Sequence, residues 1–527
     1  MALVNESTQL ARVIVRQIIE SGITDVVISP GSRNAPLSFA FFAAQEKGYL
    51  KIHMRIDERT AAFFALGLAK ASNRAVPIVC TSGTAVANYH PAVLEAHHSN
   101  ISLLILTADR PARMRRTGAS QTTEQARIFG KAVRYFADIS GPVYPMELPL
   151  YALGNGPVHL NLQFDEPLSS DADTSWLDEI VISPRSVKSR KGAGTLRISH
   201  KRGILVVGHD RAGFSVETVK KFAAELGWPM LAEDPLSFEE AVAHPTLFLS
   251  STTISKDLTP KTVIVIGRTT LSRAINSLIA SADKTIVIDP RISTSDSDRR
   301  ADQRFLELPN LEAQSLDLEW NEKWQKIAQR TAKLVAGIEQ WNEQMIAKEF
   351  GSAIKSGTSV FVASSRPIRD LETFATPRSG INTYANRGLA GIDGNISTAS
   401  GIALARGSAI AILGDLAFLH DITGLVHNEE INLKIFVINN NGGGIFSTLS
   451  HRGTEGFETL FGTPHGLDLE KIALSFGVQS RTINNINDLR HEILAPIKGI
   501  SVIVLDVPGR EDNADSLKKI ISQVDSI

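Results

Sequence analysis

The fold is decided by two stretches in which an apolar run ends in a polar turn: Ile410-Ala411-Ile412-Leu413-Gly414-Asp415 and Ile435-Phe436-Val437-Ile438-Asn439-Asn440-Asn441-Gly442-Gly443-Gly444. Each run has the length of a buried strand, and the chain between them is long enough for a crossover helix, which predicts neighbouring parallel strands. The carboxyl ends of such strands emerge at one edge of the sheet, where open α/β sheets bind ligands. Asp415 and Asn440 are therefore expected to lie close enough to share one ion.

The residue types at this edge suit Mg²⁺. Magnesium prefers a few hard oxygen ligands in octahedral geometry and completes its shell with phosphate and water. The Asp415 carboxylate, the Asn440 amide oxygen and the Gly442 carbonyl provide three such oxygens, and glycines 442–444 allow the backbone to approach an anion. Either stretch alone is weak evidence for such a site, because Gly-Asp is common and Asn-Asn-Asn-Gly is an ordinary turn. Together they predict a site for a metal and a diphosphate.

The same rhythm of short apolar runs and helix-length stretches occurs in three series along the chain. It predicts three α/β units, each with a parallel sheet covered on both faces, at residues 1–185, 198–335 and 345–527. A polar stretch at residues 168–200 indicates a linker, and a charged helical stretch at residues 316–348 leads into the third unit. Strands are expected at residues 25–29, 51–56, 76–81 and 101–107, then 203–208, 262–267 and 284–289, then 359–363, 409–415, 434–439 and 501–506.

Composition excludes several classes of function. The 527 residues are 43% hydrophobic, so the chain can bury several cores. Its 55 basic residues nearly balance 56 acidic ones, so the net charge of −1 provides no general attraction for nucleic acid or an anionic membrane. The single cysteine, Cys80, rules out an intrachain disulfide and fits a reducing compartment. With no stretch apolar enough to span a bilayer, a cytoplasmic protein is expected.

The paired stretches resemble the Gly-Asp…Asn-Asn signature of thiamine-diphosphate enzymes, which implies that cofactor held by Mg²⁺ or Mn²⁺. Such enzymes need a glutamate against N1′ of the aminopyrimidine ring. Glu58 follows the second strand and opens a helix predicted at residues 60–70, so it is interpreted as the catalytic residue rather than as a glutamate favoured by the helix dipole. The turn Thr81-Ser82-Gly83 is expected either beside the cofactor or as a helix cap.

Longer motifs make the resemblance closer. The motifs are Ser29-Pro30-Gly31-Ser32-Arg33-Asn34-Ala35-Pro36, Asp57-Glu58-Arg59, Thr81-Ser82-Gly83-Thr84-Ala85-Val86-Ala87-Asn88, Thr107-Ala108-Asp109-Arg110-Pro111, Asn386-Arg387-Gly388, Gly391-Ile392-Asp393-Gly394 and Asn439-Asn440-Asn441-Gly442-Gly443. In these motifs the chain is similar to 2-succinyl-5-enolpyruvyl-6-hydroxy-3-cyclohexene-1-carboxylate synthases, the MenD family of menaquinone biosynthesis. That family decarboxylates 2-oxoglutarate and joins the remaining four-carbon unit to isochorismate by 1,4-addition. The resemblance also implies three doubly wound parallel-sheet domains, of pyrimidine-binding, central Rossmann-like and diphosphate-binding type.

Both substrates carry several carboxylates, and the chain offers arginines in loops that follow strands. A guanidinium in such a loop can bind a carboxylate through two parallel hydrogen bonds. By similarity, substrate contacts are expected from Ser32, Arg33, Arg110, Gln121 and Arg273 for isochorismate, from Ser365 and Arg369 for 2-oxoglutarate, and from Arg387 and Leu449 near the cofactor. The resemblance places the cofactor itself against Thr81, Ser82, Gly83, Ile392, Gly414, Asp415, Leu416, Asn440, Gly442, Gly443, Ile445 and Phe446.

Two positions depart from the family pattern. Ser272-Arg273 stands where members often carry Lys-Arg, and Gly444 stands where others have glutamine. Related enzymes bind the two ends of the cofactor with different subunits, so a homodimer or homotetramer is expected. Two alternatives stay open: another thiamine-diphosphate enzyme, such as an acetolactate-synthase-like carboligase or a 2-oxo-acid decarboxylase, and a non-catalytic binding protein built from Rossmann-like units.

Overall fold

The computed structural model describes residues 5–141, 147–183, 194–291, 296, 299–312 and 317–526. The chain forms two compact units. The first unit joins Met1–Arg190 to two later segments, Asp393–Gly407 and Asp421–Ile431, and the second unit contains Lys191–Ile392, Ser408–His420 and Asn432–Ile527. The predicted linker residues 184–193 lie outside the described residues, and the predicted domain bounds stay a prediction.

The amino-terminal sheet lies in the first unit. Its six strands are all parallel and run in the order β2-β1-β3-β4-β6-β5. The strands are β1 (Asp25–Ile28), β2 (Lys51–Met54), β3 (Val76–Cys80), β4 (Leu103–Asp109), β5 (Tyr135–Ile139) and β6 (Val158–Gln163), and the helices are α1 (Glu6–Glu20), α2 (Ala35–Glu46), α3 (Glu58–Ser72), α4 (Thr84–Asn88) and α5 (His90–Ser99).

The central sheet lies in the second unit. Five parallel strands run in the order β12-β11-β10-β8-β9, and β13 pairs with β7 beside them. The strands are β7 (Thr195–Arg197), β8 (Gly203–Val207), β9 (Met230–Ala232), β10 (Thr262–Ile266), β11 (Lys284–Ile288), β12 (Gln303–Phe305) and β13 (Asn310–Glu312), and the helices are α6 (Val216–Leu226), α7 (Pro245–Phe248), α8 (Thr252–Asp257), α9 (Arg273–Ser281) and α10 (Leu318–Ala336).

The carboxy-terminal sheet also lies in the second unit. Its six parallel strands run in the order β15-β14-β16-β17-β19-β18. The strands are β14 (Ser359–Val362), β15 (Asn382–Tyr384), β16 (Ala409–Gly414), β17 (Leu433–Asn439), β18 (Gln479–Ile483) and β19 (Ile500–Asp506), and the helices of this unit are α11 (Glu343–Ala353), α12 (Arg366–Phe374), α14 (Asp415–His420), α15 (Leu469–Ser475), α16 (Ile486–Leu494) and α17 (Arg510–Val524). The helix α13 (Asn395–Arg406) follows β15 in the chain but belongs to the first unit.

The predicted strands are present, with ends that differ by at most two residues. The described part of the charged stretch predicted at residues 316–348 lies in two helices, α10 and α11, which are separated by residues 337–342. No helix in the described part of the chain is long and apolar enough to cross a membrane.

In the first unit, α13 packs across α3 with the backbones almost touching. A Cβ atom on Gly67 of α3 would lie 2.0 Å from the carbonyl oxygen of Thr398, and one on Gly401 of α13 would lie 2.2 Å from that of Phe64. Because real Cβ atoms do not approach so closely, these two positions allow no side chain at this crossing. The contact fixes the helix whose first residue is Glu58.

Candidate cofactor and substrate site

The two polar turns that were predicted to share an ion meet in the second unit. β16 and β17 are paired up to Gly414 and Ile438, so Asp415 and Asn439 leave the sheet at the same edge. The Asp415 carboxylate accepts hydrogen bonds from the backbone N–H of Leu416, at 2.7 Å, and of Gly442, at 2.8 Å. Burial raises the pKa of Asp415, and these N–H groups act against that rise.

Asn440 has the features that are expected of a metal ligand. Its side-chain N–H donates to Glu343 at 2.6 Å, whereas its amide oxygen is buried with no hydrogen-bond partner among the described residues. A buried acceptor left unsatisfied is costly unless something else binds it. Gly442, at φ 132°, completes the turn, and a Cβ there would lie 2.1 Å from the carbonyl oxygen of Gly462. This cradle of oxygens fits a divalent cation that carries a diphosphate.

The sequence pattern did not predict His465, which also contacts the Asp415 carboxylate. Its Nε2 lies 3.3 Å from Oδ2 of Asp415, and its Nδ1 accepts a hydrogen bond from the backbone N–H of Leu467 at 3.0 Å. An accepting Nδ1 places the proton of the neutral ring on Nε2, so His465 donates to Asp415. Its position in a Thr-Pro-His-Gly turn, 50 residues after Asp415, is the one signal that the sequence offers.

Several predicted substrate residues line one cavity of about 330 Å³ in the second unit. Arg273, Arg369, Ile445 and Leu449 are all part of its wall. The Arg369 guanidinium donates to the carbonyl oxygen of Ser365 at 2.7 Å. Burial and the nearby cations Arg366 and Arg387 lower the pKa of Arg369, and the carboxylates of Glu233 and Asp370 act against that fall.

The serine at the first departure from the family pattern has a local role. Ser272 is buried and caps α9, since its hydroxyl accepts from the backbone N–H of Ile275 at 3.3 Å and from the Thr246 hydroxyl at 2.9 Å. The second departure, Gly444, is set by its neighbour, because a Cβ there would lie 2.3 Å from Nδ2 of Asn440. A side chain at position 444 would therefore require Asn440 to move.

Other predicted residues of the second unit are placed differently. Arg387 is buried in an ion pair with Glu233, at 3.0 and 3.2 Å, and also donates to the carbonyl oxygen of Thr269 at 3.1 Å. Its guanidinium is therefore committed to protein partners. Phe446 packs on Phe461 with ring centroids 5.5 Å apart. Ile392 is 39% exposed.

Glu58 lies at the carboxyl edge of the amino-terminal sheet, in the first unit. It is half-buried and is the first residue of α3. Asp57 caps the helix by accepting from the N–H groups of Arg59, at 2.9 Å, and Thr60, at 3.3 Å, while the Thr423 hydroxyl donates to Asp57 at 2.7 Å. This arrangement holds the backbone beside Glu58 on both sides.

The turn Thr81-Ser82-Gly83 does not act as a side-chain helix cap, because α4 begins after Gly83 without a capping side chain. The Ser82 hydroxyl is buried and has no hydrogen-bond partner in the described residues. The backbone N–H of Gly83 donates to Gln125 at 3.2 Å. A buried, uncommitted hydroxyl favours the other interpretation, a turn beside a ligand.

The loops after β1, β3 and β4 meet at the same edge. A Cβ on Gly83 would lie 3.5 Å from Gln121, and the Arg110 guanidinium donates to Ser120 at 2.8 Å. Arg33 donates to the carbonyl oxygen of Phe164 at 2.9 Å, and burial together with the charge of Arg110 lowers its pKa. Two neighbouring guanidiniums of this kind are typical of a site for an anion. Ser32 is exposed on the same loop.

Comparison with known proteins covers the residues described in each unit. Three family models match in order: the N-terminal thiamine pyrophosphate binding domain over residues 8–128, the middle domain of thiamine pyrophosphate enzymes over residues 170–362, and the C-terminal binding domain over residues 368–507. A solved structure of benzoylformate decarboxylase from Polynucleobacter necessarius matches with a TM-score of 0.65 over 95% of this chain and 98% of that one. At 15% identity that likeness shows the fold alone, and the predicted fold class is confirmed.

Relatives much closer in sequence are enzymes of one activity. The 2-succinyl-5-enolpyruvyl-6-hydroxy-3-cyclohexene-1-carboxylate synthase of Saccharopolyspora erythraea is 37% identical over 91% of this chain and 92% of its own length. That of Thermobifida fusca is 37% identical over 92% of this chain and 93% of its own length. The predicted cofactor, thiamine diphosphate with a divalent metal, is confirmed with the family. The chain belongs to the 2-succinyl-5-enolpyruvyl-6-hydroxy-3-cyclohexene-1-carboxylate synthase family of thiamine-pyrophosphate enzymes.

Proposed function

We propose that this enzyme decarboxylates 2-oxoglutarate and adds the remaining four-carbon unit to isochorismate, giving 2-succinyl-5-enolpyruvyl-6-hydroxy-3-cyclohexene-1-carboxylate and CO₂ in menaquinone biosynthesis. The observation that carries the proposal is the cavity in which Arg273 and Arg369 lie together with Ile445 and Leu449. It combines cations for carboxylates with apolar walls for carbon chains. Such a combination is suited to a small, multiply charged organic acid.

At the diphosphate end, Asp415, Asn440 and the Gly442 carbonyl would hold the metal. The uncommitted oxygen of Asn440 and the buried carboxylate of Asp415 support this assignment. Thiamine diphosphate, when bound, supplies the carbon nucleophile and the electron sink that decarboxylation of a 2-oxo acid requires. The protein contributes orientation, charge neutralisation and a site from which water is excluded.

At the pyrimidine end, Glu58 would exchange a proton with N1′ of the ring. Its half-buried place at the start of α3, with Asp57 and Thr423 holding the adjacent backbone, supports a fixed carboxylate. The buried hydroxyl of Ser82 would contact the cofactor in the same unit. A positioned proton-transfer group of this kind contributes a factor of roughly 10²–10⁴ in rate.

The arginines would divide the two substrates. Arg369, at the start of α12 beside Ser365, would bind the distal carboxylate of 2-oxoglutarate. Arg33, Arg110 and Gln121 in the first unit, and Arg273 in the second, would bind isochorismate. Burial and the charge of Arg110 lower the pKa of Arg33, and the closeness of these two guanidiniums supports a shared anionic ligand beside the ion pair of Arg33 with Glu166 at 3.3 Å.

Product formation tests this function directly. The purified protein with thiamine diphosphate and Mg²⁺ is incubated with 2-oxoglutarate and isochorismate together, and separately with pyruvate alone. Mass spectrometry should find the succinylated product and one CO₂ per product in the first mixture. Turnover of pyruvate alone, with no product from the first mixture, would favour an acetolactate-synthase-like enzyme or a simple decarboxylase.

A homodimer or homotetramer is also proposed, because related enzymes bind the two ends of the cofactor with different subunits. Four apolar side chains on α2 and at or just after the end of β2 support a contact with a second copy: Phe39, Phe42, Met54 and Ile56 are between 40% and 73% exposed. Replacing Phe39 and Phe42 by serine should shift sedimentation toward monomer, while Leu467→Ser, at a site 47% exposed, should not. A cytoplasmic location is proposed as well, since the unpaired Cys80 fits a reducing compartment.

A further inference from the structure

Glu343 is a buried carboxylate beside the turn at residues 439–444, here named the metal loop. The proposed reaction does not use this carboxylate. Glu343 is 3% exposed, opens α11, and accepts a hydrogen bond from Nδ2 of Asn440 at 2.6 Å. Its other oxygen lies 3.5 Å from Nε of Arg366. Glu343 therefore faces a proposed metal ligand on one side and a guanidinium on the other.

The chemistry of this contact determines which way the Asn440 amide points. A carboxylate only accepts hydrogen bonds, so the N–H₂ end of Asn440 must face Glu343. The oxygen end then points away, and it is the buried oxygen that has no hydrogen-bond partner in the described part of the chain. With the amide reversed, two oxygens would face each other and the N–H₂ group would face the metal. A cation would then lose a ligand.

Arg366 in turn fixes Glu343. Its guanidinium contacts both Glu343 and Asp370, and it is buried between them. Asp370 lies on α12, one residue from Arg369, and both line the 330 Å³ cavity. A continuous buried row thus runs from Asn440 through Glu343 and Arg366 to Asp370.

We propose that Glu343 is the positioning residue that sets the Asn440 amide with its oxygen toward the metal, and that the row through Arg366 ties the metal loop to the substrate helix α12. This inference rests on the metal site proposed above and adds a residue that acts through Asn440. Outer-sphere partners of this kind typically change metal affinity by 10- to 100-fold when they are removed.

Glu343→Gln is the first test. Glutamine offers one oxygen and one N–H₂ group to Asn440 on one side and Arg366 on the other. Its oxygen should turn to the Arg366 guanidinium, because a hydrogen bond to a charged donor is stronger than one to the neutral Asn440 amide. Its N–H₂ group then faces Asn440 and reverses that amide. The metal-free protein is titrated with Mg²⁺ at saturating thiamine diphosphate, and calorimetry measures the binding. The Mg²⁺ affinity of the variant should be roughly 10- to 100-fold weaker than that of the parent.

The matched control is Glu349→Gln on the same helix. Glu349 is equally buried and forms a two-point ion pair with Arg490, at 2.6 and 3.0 Å, far along α11 from the metal loop. Its replacement should lower the melting temperature while leaving Mg²⁺ affinity within about twofold of the parent, since it does not touch Asn440. Circular dichroism establishes that each variant is folded at the temperature of the titration.

A second variant pair separates orientation from simple loss of stability. In Asn440→Asp two carboxylates face each other at the position of the present hydrogen bond, so Mg²⁺ affinity should fall. In the double variant Glu343→Gln, Asn440→Asp the donor and acceptor are exchanged: Gln donates to Asp, Gln accepts from Arg366, and either oxygen of Asp can serve the metal. Mg²⁺ affinity should therefore recover to within several-fold of the parent.

Two results would overturn the role of Glu343: affinity in Glu343→Gln equal to that in Glu349→Gln, or a double variant no tighter than the two single ones. Failure of the parent protein to bind Mg²⁺ with thiamine diphosphate would instead overturn the metal site on which the inference rests.

Discussion

The amino-terminal and carboxy-terminal sheets have the same strand order, yet their edges carry different chemistry. In β2-β1-β3-β4-β6-β5 and β15-β14-β16-β17-β19-β18, each strand of one sheet has a counterpart in the other. Strands β3 and β16 correspond, as do β4 and β17. The turn after β3 is Thr81-Ser82-Gly83, whereas β16 ends in Gly414 and is followed by Asp415. Topology fixes where a ligand can bind, and the residues at the strand ends decide which ligand.

The helices that follow the second counterpart strands extend this comparison. α3 comes after β2 and begins with the catalytic candidate Glu58, while α13 comes after β15. The two helices cross at Gly67 and Gly401 within the first unit. The two helices are thus in direct contact, and only α3 begins with a carboxylate, since the first residue of α13 is Asn395.

The largest expected effect is on catalysis at the amino-terminal edge. Glu58→Gln removes the group proposed to exchange a proton with the cofactor and should lower kcat by roughly 10²–10⁴. Thiamine diphosphate affinity, measured by calorimetry with Mg²⁺ present, should stay within a few-fold of the parent. A variant that keeps full activity would remove Glu58 from the reaction.

At the counterpart edge, Asp415→Ala should act on binding rather than on proton transfer. It removes a charged oxygen ligand, so Mg²⁺ affinity should fall by more than the roughly 10- to 100-fold expected for an outer-sphere partner. Activity should return in part at high Mg²⁺ concentration, unlike the activity of Glu58→Gln. If the activities of Asp415→Ala and Glu58→Gln depend on Mg²⁺ in the same way, the proposed separation of metal binding from proton transfer is wrong.

The substrate arginines sharpen the comparison further. Arg369→Gln should raise KM for 2-oxoglutarate, and Arg33→Gln should raise KM for isochorismate, each roughly 10- to 100-fold, since a charged hydrogen bond contributes about 1.5–3 kcal/mol. Steady-state kinetics with one substrate varied at a time tests this. If each variant affects both substrates equally, the assignment of one carboxylate to each arginine is wrong.

The helix crossing has an effect on stability. Gly67→Ala places a methyl group where the carbonyl oxygen of Thr398 now lies, so unfolding free energy should fall by about 1–3 kcal/mol. Urea unfolding measures the loss. Gly509→Ala is the control, because its added methyl meets nothing closer than 3.8 Å. Equal stability of the two variants would show that α3 and α13 can separate without cost.

The smallest expected effect is a pH dependence in the first unit. His53 is buried between Asp25, at 3.0 Å, and Glu429, with Arg55 and Phe64 beside it. Burial opposes charge on the ring, but the two carboxylates outweigh it and raise the pKa of His53. The charged form is thus favoured in the folded state. Its contribution to stability is complete below about pH 6.5 and is lost as pH rises through the raised folded pKa.

Urea unfolding at pH 6, 7 and 8 checks this sign. The stability difference between the parent and His53→Gln should narrow by roughly 1 kcal/mol over that range. Burial raises the pKa of Glu429, but His53 and Arg55 outweigh it and lower that pKa to about 2. The contribution of the Glu429 carboxylate to stability is therefore lost only as pH falls toward that value.

The sequence predicted the parallel sheets and the meeting of Asp415 with the Asn440 turn, because both follow from local apolar runs and from the geometry of crossovers. It did not predict eight further strands of the described residues, which are only three residues long (β7, β9, β12, β13 and β15) or mix polar with apolar residues (β5, β6 and β18). His465 and Glu343 were missed for a different reason. Each acts through a partner 50 or more positions away in the chain, which no local pattern reports.

The first unit is formed by segments that lie far apart in the chain, and this affects its folding during synthesis. Segments up to Ile431 belong to it, so the sheet that is translated first waits for roughly 240 further residues before Gly401 can cover α3. At about 5–20 residues per second, the ribosome needs roughly ten seconds to a minute for that stretch. During this interval the Phe63 ring lacks Gly394, the residue before α13 that later lies against it. The nascent chain is therefore expected to need chaperone protection at this stage.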